Sequence, residues 1–275
     1  MDLPSIPRIP IGDWVSNVVD YLVGNYRPIF RGFSSIINSL IDGFEAMLEF
    51  IPALVLILFF MVLVAFLRRK ISLVIFVGVG LFLIYNIGLW SELVITMASI
   101  LTAVFVSTIV GVPLGILKAH SRVVDVITRP ILDIMQTIPV FVYLIPALMF
   151  FGLGIVSGVI ATIVFAIPPP IRLTYLGIKQ VPNELKEAGK AFGSNYWQML
   201  WKVEIPSAFP SIMLGINQCI MLSLSMVVIA SMIGAGGLGR PVMRSMATVN
   251  ISMGFEAGMA VVLLAMVLDR LFSRD

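Results

Sequence analysis

Charge is what this sequence has least of. Only 12% of its 275 residues are Asp, Glu, Lys or Arg, about half the ~25% of an average soluble domain. Too few groups remain to solvate a globular surface, so a soluble fold is excluded. Disorder is excluded from the other side, because 59% of the residues are hydrophobic. There is one cysteine, Cys219, and one histidine, His120. Neither a disulfide framework nor a Cys- or His-rich metal site can be built from them. HExxH and GxSxG are absent, and no nucleophile–base pair stands in for them, which argues against an intramembrane enzyme. The phosphate-cradling pattern GxxxxGK[ST] is also missing, so any ATP-driven step needs a partner. The opening residues lack a basic stretch followed by a short apolar run, so they do not read as a signal peptide.

What the chain has instead is apolar length, with a mean hydropathy of +1.06. A bilayer core of about 30 Å takes about 20 apolar residues as a helix. Uncharged or nearly uncharged runs occupy 51–67, 71–89, 93–117, 134–171, 207–239 and 252–268. The fourth is too long for one crossing, and Gly152, Gly154, Ser157 and Gly158 divide it. An all-α membrane protein with about seven transmembrane helices is therefore predicted. The net charge of +3 then reflects basic loops rather than a nucleic-acid surface.

The loops at 68–70, 118–129, 172–206 and 269–275 hold thirteen Lys or Arg, whereas the alternate set at 90–92, 152–158 and 234–251 holds two. The positive-inside bias puts the first set in the cytoplasm, the N-terminus outside and the C-terminus inside. Residues 1–50 carry six acids against three arginines, which suits an extracytoplasmic tail. Within that tail Phe33, Ile36, Ile37, Leu40, Ile41, Phe44, Met47 and Leu48 repeat at helical spacing, with Asp42, Glu45 and Glu49 opposite. Such an amphipathic helix fits the outer membrane surface and fits packing against the protein's own spans equally well. His120, beside a span end, reads as a solvated loop residue.

The segment 179–206 is long and polar for a loop in a helical bundle. Asn183 is placed to cap a helix over 184–192, and Gly193 to end it in a left-handed conformation. Ser194 or Asn195 can cap a second helix over 196–203, which Pro206 terminates. Its residues have a distinctive spacing. Glu187-Ala188-Gly189 is followed after three residues by Gly193, and after nine more by Val203, Glu204, Ile205 and Pro206. This resembles the E-A-A, three residues, G, nine residues, I-x-L-P loop of ABC importer permeases, with Gly189, Val203 and Ile205 as conservative departures. Residues 136–151, 167–172 and 224–239 extend the resemblance to the permease subunit of osmoregulated glycine betaine importers.

That resemblance implies a MetI-like type I importer core of five helices over 90–275, with a coupling loop at 179–206. Two accessory transmembrane helices over 51–89 and the tail 1–50 precede it. The chain would be no enzyme and would hold no cofactor. ATP and Mg would be bound by two cytoplasmic ATPase subunits docked on Glu187, Ala188, Gly189, Gly193, Val203, Ile205 and Pro206. A second copy of the chain, an extracytoplasmic substrate-binding protein and a betaine-class solute complete the implied assembly, in a bacterial cytoplasmic membrane.

No Asp, Glu, Lys or Arg lies within 134–171 or 207–239. Ion-coupled carriers usually carry intramembrane ionisable groups, so the competing reading, a secondary carrier or channel for a small neutral solute, is disfavoured. Gln136, Thr137, Asn217, Gln218, Ser223 and Ser225 are polar candidates for the solute route, and equally for bonds between helices. Phe141, Tyr143 and Tyr175 could attract a quaternary ammonium through cation–π contact or serve as packing. Pro168-Pro169-Pro170 is expected to distort the fifth span near its cytoplasmic end.

Overall fold

The computed structural model describes residues 11–272, and every regular element among them is helical. The outermost residues of the expected tail and C-terminus, 1–10 and 273–275, lie outside the described residues. Helix α1 (Ile11–Glu49) meets α2 (Ala53–Arg68) at 94°. Arg69, in a left-handed conformation at φ 51°, turns the chain into α3 (Ile71–Asn86). Helix α4 (Trp90–His120) leads through Ser121, whose hydroxyl accepts from the Val124 N–H, into α5 (Arg122–Thr137). A bend of 112° at Ile138-Pro139 then separates α5 from a 3-10 turn and α6 (Leu144–Phe151). Helices α7 (Ile155–Ala166) and α8 (Pro168–Lys179) are followed by α9 (Asn183–Ala191) and α10 (Tyr196–Met199). A π-turn over Leu200–Glu204 joins α10 to α11 (Ile205–Ala230), and α12 (Gly239–Thr248) and α13 (Ile251–Phe272) close the described chain.

Among the described residues, four unbroken helices are long and apolar enough to cross a membrane: α4, the joined α7–α8, the joined stretch Tyr196–Ile233, and α13. The two bent pairs, α1–α2 and α5–α6, raise that to six, and α3 is a shorter apolar helix of 16 residues. This all-helical, multi-span architecture is the one expected. At 1.5 Å per residue α3 is about 24 Å long, less than a full hydrocarbon core.

Several local expectations are corrected. The three prolines do not lie near a span end. They occupy the first turn of α8, in the middle of a 25-residue helix that runs on to Lys179. A first-turn proline gives up an N–H that has no helical partner within α8. Residues 122–137, read partly as loop, are helical, with Arg122, Asp125, Arg129 and Asp133 repeating along one side. Pro206 does not terminate the second loop helix either. The π-turn before it shifts the hydrogen-bond register, with Ile205 N–H reaching Leu200 C=O, and the helix continues into the span. Asn183 is already helical, and Pro182 takes the N-cap position without a side-chain bond.

Close approach of small residues joins α4, α8 and α11 into a wall. A Cβ on Gly115 would stand 2.6 Å from Thr174 Cβ and 2.7 Å from the Ile171 carbonyl oxygen. One on Gly177 would meet Ser211 Cβ at 2.8 Å, and one on Gly215 the Pro169 carbonyl oxygen at 3.1 Å. Small-residue contacts of this kind let membrane helices gain dispersion where lipid offers no hydrophobic drive. Elsewhere Leu56, Phe60, Val64, Val77, Leu81 and Leu264 build an apolar core between α2, α3 and α13. Helix α1 lays Ile37 and Ile41 against Ala103, Val159, Ile160 and Ile163 of α4 and α7. Ile36 and Met47, on its other side, stay exposed. Where the ends of α4 and α8 meet α9, Lys118, Lys179 and Lys186 come together, and this end of the wall is called the basic end below.

Candidate functional site

The element over Asn183–Pro206 stands at the basic end. Helix α9 closes with Phe192 N–H on Ala188 C=O (3.0 Å), Gly193 N–H on Lys190 C=O (2.9 Å) and Ser194 N–H on Gly189 C=O (3.0 Å). Gly193 adopts φ +74°, the left-handed conformation that lets the last carbonyls find these donors. No atom lies within 4 Å of the position a Cβ would take there. Asn195 and Gln198 form a reciprocal capping box at 2.8 and 2.9 Å, choosing Asn195 over Ser194 as the cap. Gly189 faces the other helix, since a Cβ on it would meet Met199 Cε at 2.7 Å and Val203 Cγ2 at 3.6 Å. Glu187, Ala188, Gly193 and Pro206 are exposed, while Val203 and Ile205 are half-buried.

The sequence spacing does not reveal how apolar the outer surface of this element is. Phe192 is 90% exposed, and Tyr196, Trp197 and Trp201 are exposed beside it. Large rings clustered on a short polar element are typical of a protein contact, where aromatic residues are enriched. Four bulky residues within ten positions, 192–201, were the available signal.

Charged contacts fasten the element to the span ends. His120 is not a free loop residue. Its Nε2 lies 2.9 Å from Glu204 Oε2 and its Nδ1 2.9 Å from Ile116 C=O. Lys186 Nζ stands 3.7 Å from Glu204 Oε1 and donates to Ile178 C=O at 3.3 Å. Nearby Lys118, buried, pairs with Asp125 at 2.9 Å, donates to Thr128 at 3.2 Å and sits 5.0 Å from the centre of the Tyr175 ring. One face of Tyr175 is thus taken by the chain's own cation. Arg172 pairs with Asp133, tying α8 to α5.

The polar candidates for a solute route are placed unevenly. Gln136 and Gln218, both exposed on the surface of the protomer, line one cavity of about 420 Å³ together with Met135, Phe165, Pro169, Met221 and Leu222. Asn217 and Gln218 border a larger cleft of about 760 Å³ between α2, α11 and α13, where Asn217 Nδ2 donates to Phe272 C=O at 2.8 Å. Thr137 bonds to Ile134 C=O at 3.0 Å and Ser225 to Met221 C=O at 3.1 Å, both at exposed positions. Ser223 is fully buried and spends its hydroxyl on Cys219 C=O at 2.8 Å. Tyr143 donates to Met135 C=O and sets its ring against Phe165 at 5.8 Å, while Phe141 is exposed. The structure therefore joins Gln136 with Gln218 but leaves Thr137, Phe141, Ser223 and Ser225 outside that cavity. Phe165, one of 18 phenylalanines, carries no sequence mark that would have selected it.

Known proteins agree with this architecture. The glycine betaine/carnitine transport permease protein GbuB of Listeria monocytogenes is 46% identical over 272 residues, covering 98% of this chain and 96% of the relative. The glycine betaine transport system permease protein OpuAB of Bacillus subtilis is 44% identical over 266 residues, covering 97% and 94%. The glycine betaine/proline betaine permease ProW of Escherichia coli is 46% identical over 263 residues, 96% of this chain and 74% of that one. In fold, the chain resembles a solved inward-facing MetNI methionine ABC transporter with a TM-score of 0.58 at 21% identity, over 63% of this chain and 87% of that one. Residues 111–273, which include the α9–α10 element, match the family described as binding-protein-dependent transport system inner membrane component. The chain belongs to that family and is a multi-pass permease subunit.

Proposed function

We propose that this chain is the membrane subunit of an ATP-driven importer for glycine betaine or a related net-neutral quaternary ammonium solute. Two copies form the pathway, and each docks one cytoplasmic ATPase on Glu187, Ala188, Gly189, Gly193, Val203, Ile205 and Pro206. An extracytoplasmic binding protein delivers the solute. The observation that carries this reading is the α9–Gly193–α10 element, a firmly capped knob with exposed aromatic residues at the basic end of the bundle. Glu187 supplies a carboxylate for a basic group of the ATPase, and the small residues allow close backbone approach.

The solute class is supported by the three betaine permeases of 44–46% identity and by the shortage of charge in the spans. An ionised residue in the route would trap or repel one end of a zwitterion. The cavity holding Gln136 and Gln218 instead offers two neutral carboxamides beside the Phe165 ring and the thioethers of Met135 and Met221. Amide oxygens and ring faces attract an onium group weakly, and amide N–H groups attract a carboxylate, which favours brief occupancy. In orientation, the basic end faces the cytoplasm, with the N-terminus outside and the C-terminus inside.

Two measurements test this. Single cysteines at Leu153, 78% exposed at the end opposite the basic one, and at Ser194 are treated with an impermeant thiol reagent in intact cells. Labelling is expected only at Leu153, and labelling at Ser194 overturns both the orientation and the docking. Proteoliposomes holding the assembled complex should take up glycine betaine only when ATP reaches the ATPases. Uptake on a proton or sodium gradient without ATP would instead establish the secondary carrier.

A further inference from the structure

Glu204 is the unassigned position of the V-x-I-P segment, and it is the most buried acid of the docking element, at 6% exposure. A carboxylate taken out of water is tolerated only when its charge is paired and its lone pairs are met. The two partners come from different parts of the fold. His120 ends α4 and faces Oε2, and Lys186 of α9 faces Oε1. The Ile116 carbonyl can only accept, so His120 Nδ1 carries a hydrogen. Nε2 then either donates to the carboxylate or accepts from the carboxylic acid, and both arrangements share one proton across 2.9 Å. Lys186 also bonds the Ile178 carbonyl near the end of α8. The ends of α4 and α8, the helix α9 and the start of α11 therefore meet at one carboxyl group.

Two further features make this junction mechanical. Glu204 closes the π-turn, a segment whose hydrogen-bond register differs from that of the span after it, and single π-turns recur at functional sites. Immediately beyond it, α4, α8 and α11 are in backbone-close contact at Gly115, Gly177 and Gly215, so one cannot slide without its neighbours.

We propose that Glu204 is the positioning residue that passes motion of α9 to the membrane spans, with Lys186 as its link to α9 and His120 as its anchor on α4. The proposal rests on the permease reading above and names a residue of that machine outside the docking pattern. The test uses the full complex in proteoliposomes, with radiolabelled glycine betaine, and reads solute taken up per ATP hydrolysed beside ATPase co-purification. Lys186→Met keeps the aliphatic stem, and Glu204→Gln keeps the shape while offering an N–H to a neutral His120. Both should retain bound, hydrolysing ATPase, while uptake per ATP falls about tenfold, within the cost of leaving a buried polar group short of a partner. The double variant should be no worse than either single one, because both cut the same link. Lys186→Arg should restore most of the ratio, which a lost packing contact would not explain. Unchanged uptake per ATP in Lys186→Met, or losses that multiply in the double variant, overturns the relay. Should Glu204→Gln fail to accumulate, the half-buried Lys186 decides alone. If the unsubstituted chain retains no ATPase at all, the permease reading is what fails, and the relay falls with it.

Discussion

The wall of α4, α8 and α11 and the α9–α10 element at its foot both depend on glycine, for opposite reasons. In the wall, Gly115 and Gly177 have ordinary helical backbone but no room, because a Cβ would enter Thr174, Ser211 and backbone oxygens. In the α9–α10 element, Gly193 has open space where a Cβ would stand but a backbone at φ +74°. The wall glycines are set by contact with another helix and the loop glycine by the chain's own turn. The first kind fixes how spans stack, and the second fixes a shape that another protein can meet.

Substitutions should separate the two kinds. The largest effect is expected from Gly115→Val, whose branched side chain has to displace the Ile171 carbonyl. Its cost exceeds the ~3 kcal/mol of ordinary overpacking, and immunoblots of membranes should show little chain. Near-normal accumulation would mean that the wall can open. Gly193→Asp comes next and acts elsewhere. The chain should accumulate, but an uncompensated carboxylate held in a partner's groove costs roughly 3 kcal/mol of docking, so ATPase co-purification and ATP-dependent uptake fall together. Full uptake with bound ATPase would remove this loop from the coupling role. Gly193→Ala should cost only about 1 kcal/mol, the strain of a left-handed alanine, seen as a small drop in ATPase retention. The smallest effect is expected at Gly189→Ala. There the nearest atom is the flexible end of Met199, so the melting temperature of the purified subunit should move little. A loss there as large as at Gly115 would show that α9 and α10 are as tightly fitted as the wall.

The same division runs through what could be read without a structure. The apolar runs were legible because crossing a bilayer demands length and composition, and both are local. The α9–α10 element was legible because Gly193 and Asn195 act on their own backbone within a few residues, and each performs the expected cap. The errors fall where a neighbour in space decides. Pro206 reads as a helix stop, yet the π-turn before it lets the helix continue. His120 reads as solvated until α11 brings Glu204 to its ring. Tyr175 reads equally as a cation site or as packing, and the structure sets Lys118, 57 positions earlier in the chain, over its ring.

By itself the sequence determined a membrane chain of several spans, poor in charge along its length and basic at one end, with a capped polar knob between two of those spans. Hydropathy, charge and turn chemistry are properties of short segments and survive whatever the rest of the chain does. Only the tertiary structure decided that Gln136 and Gln218 share a cavity while Ser223 does not, and that four elements converge on Glu204. Those outcomes depend on which face each helix turns toward another. In spans that are apolar all round, that choice is made by the fit of small residues such as Gly115 and Gly215 against a particular partner, which no periodicity encodes.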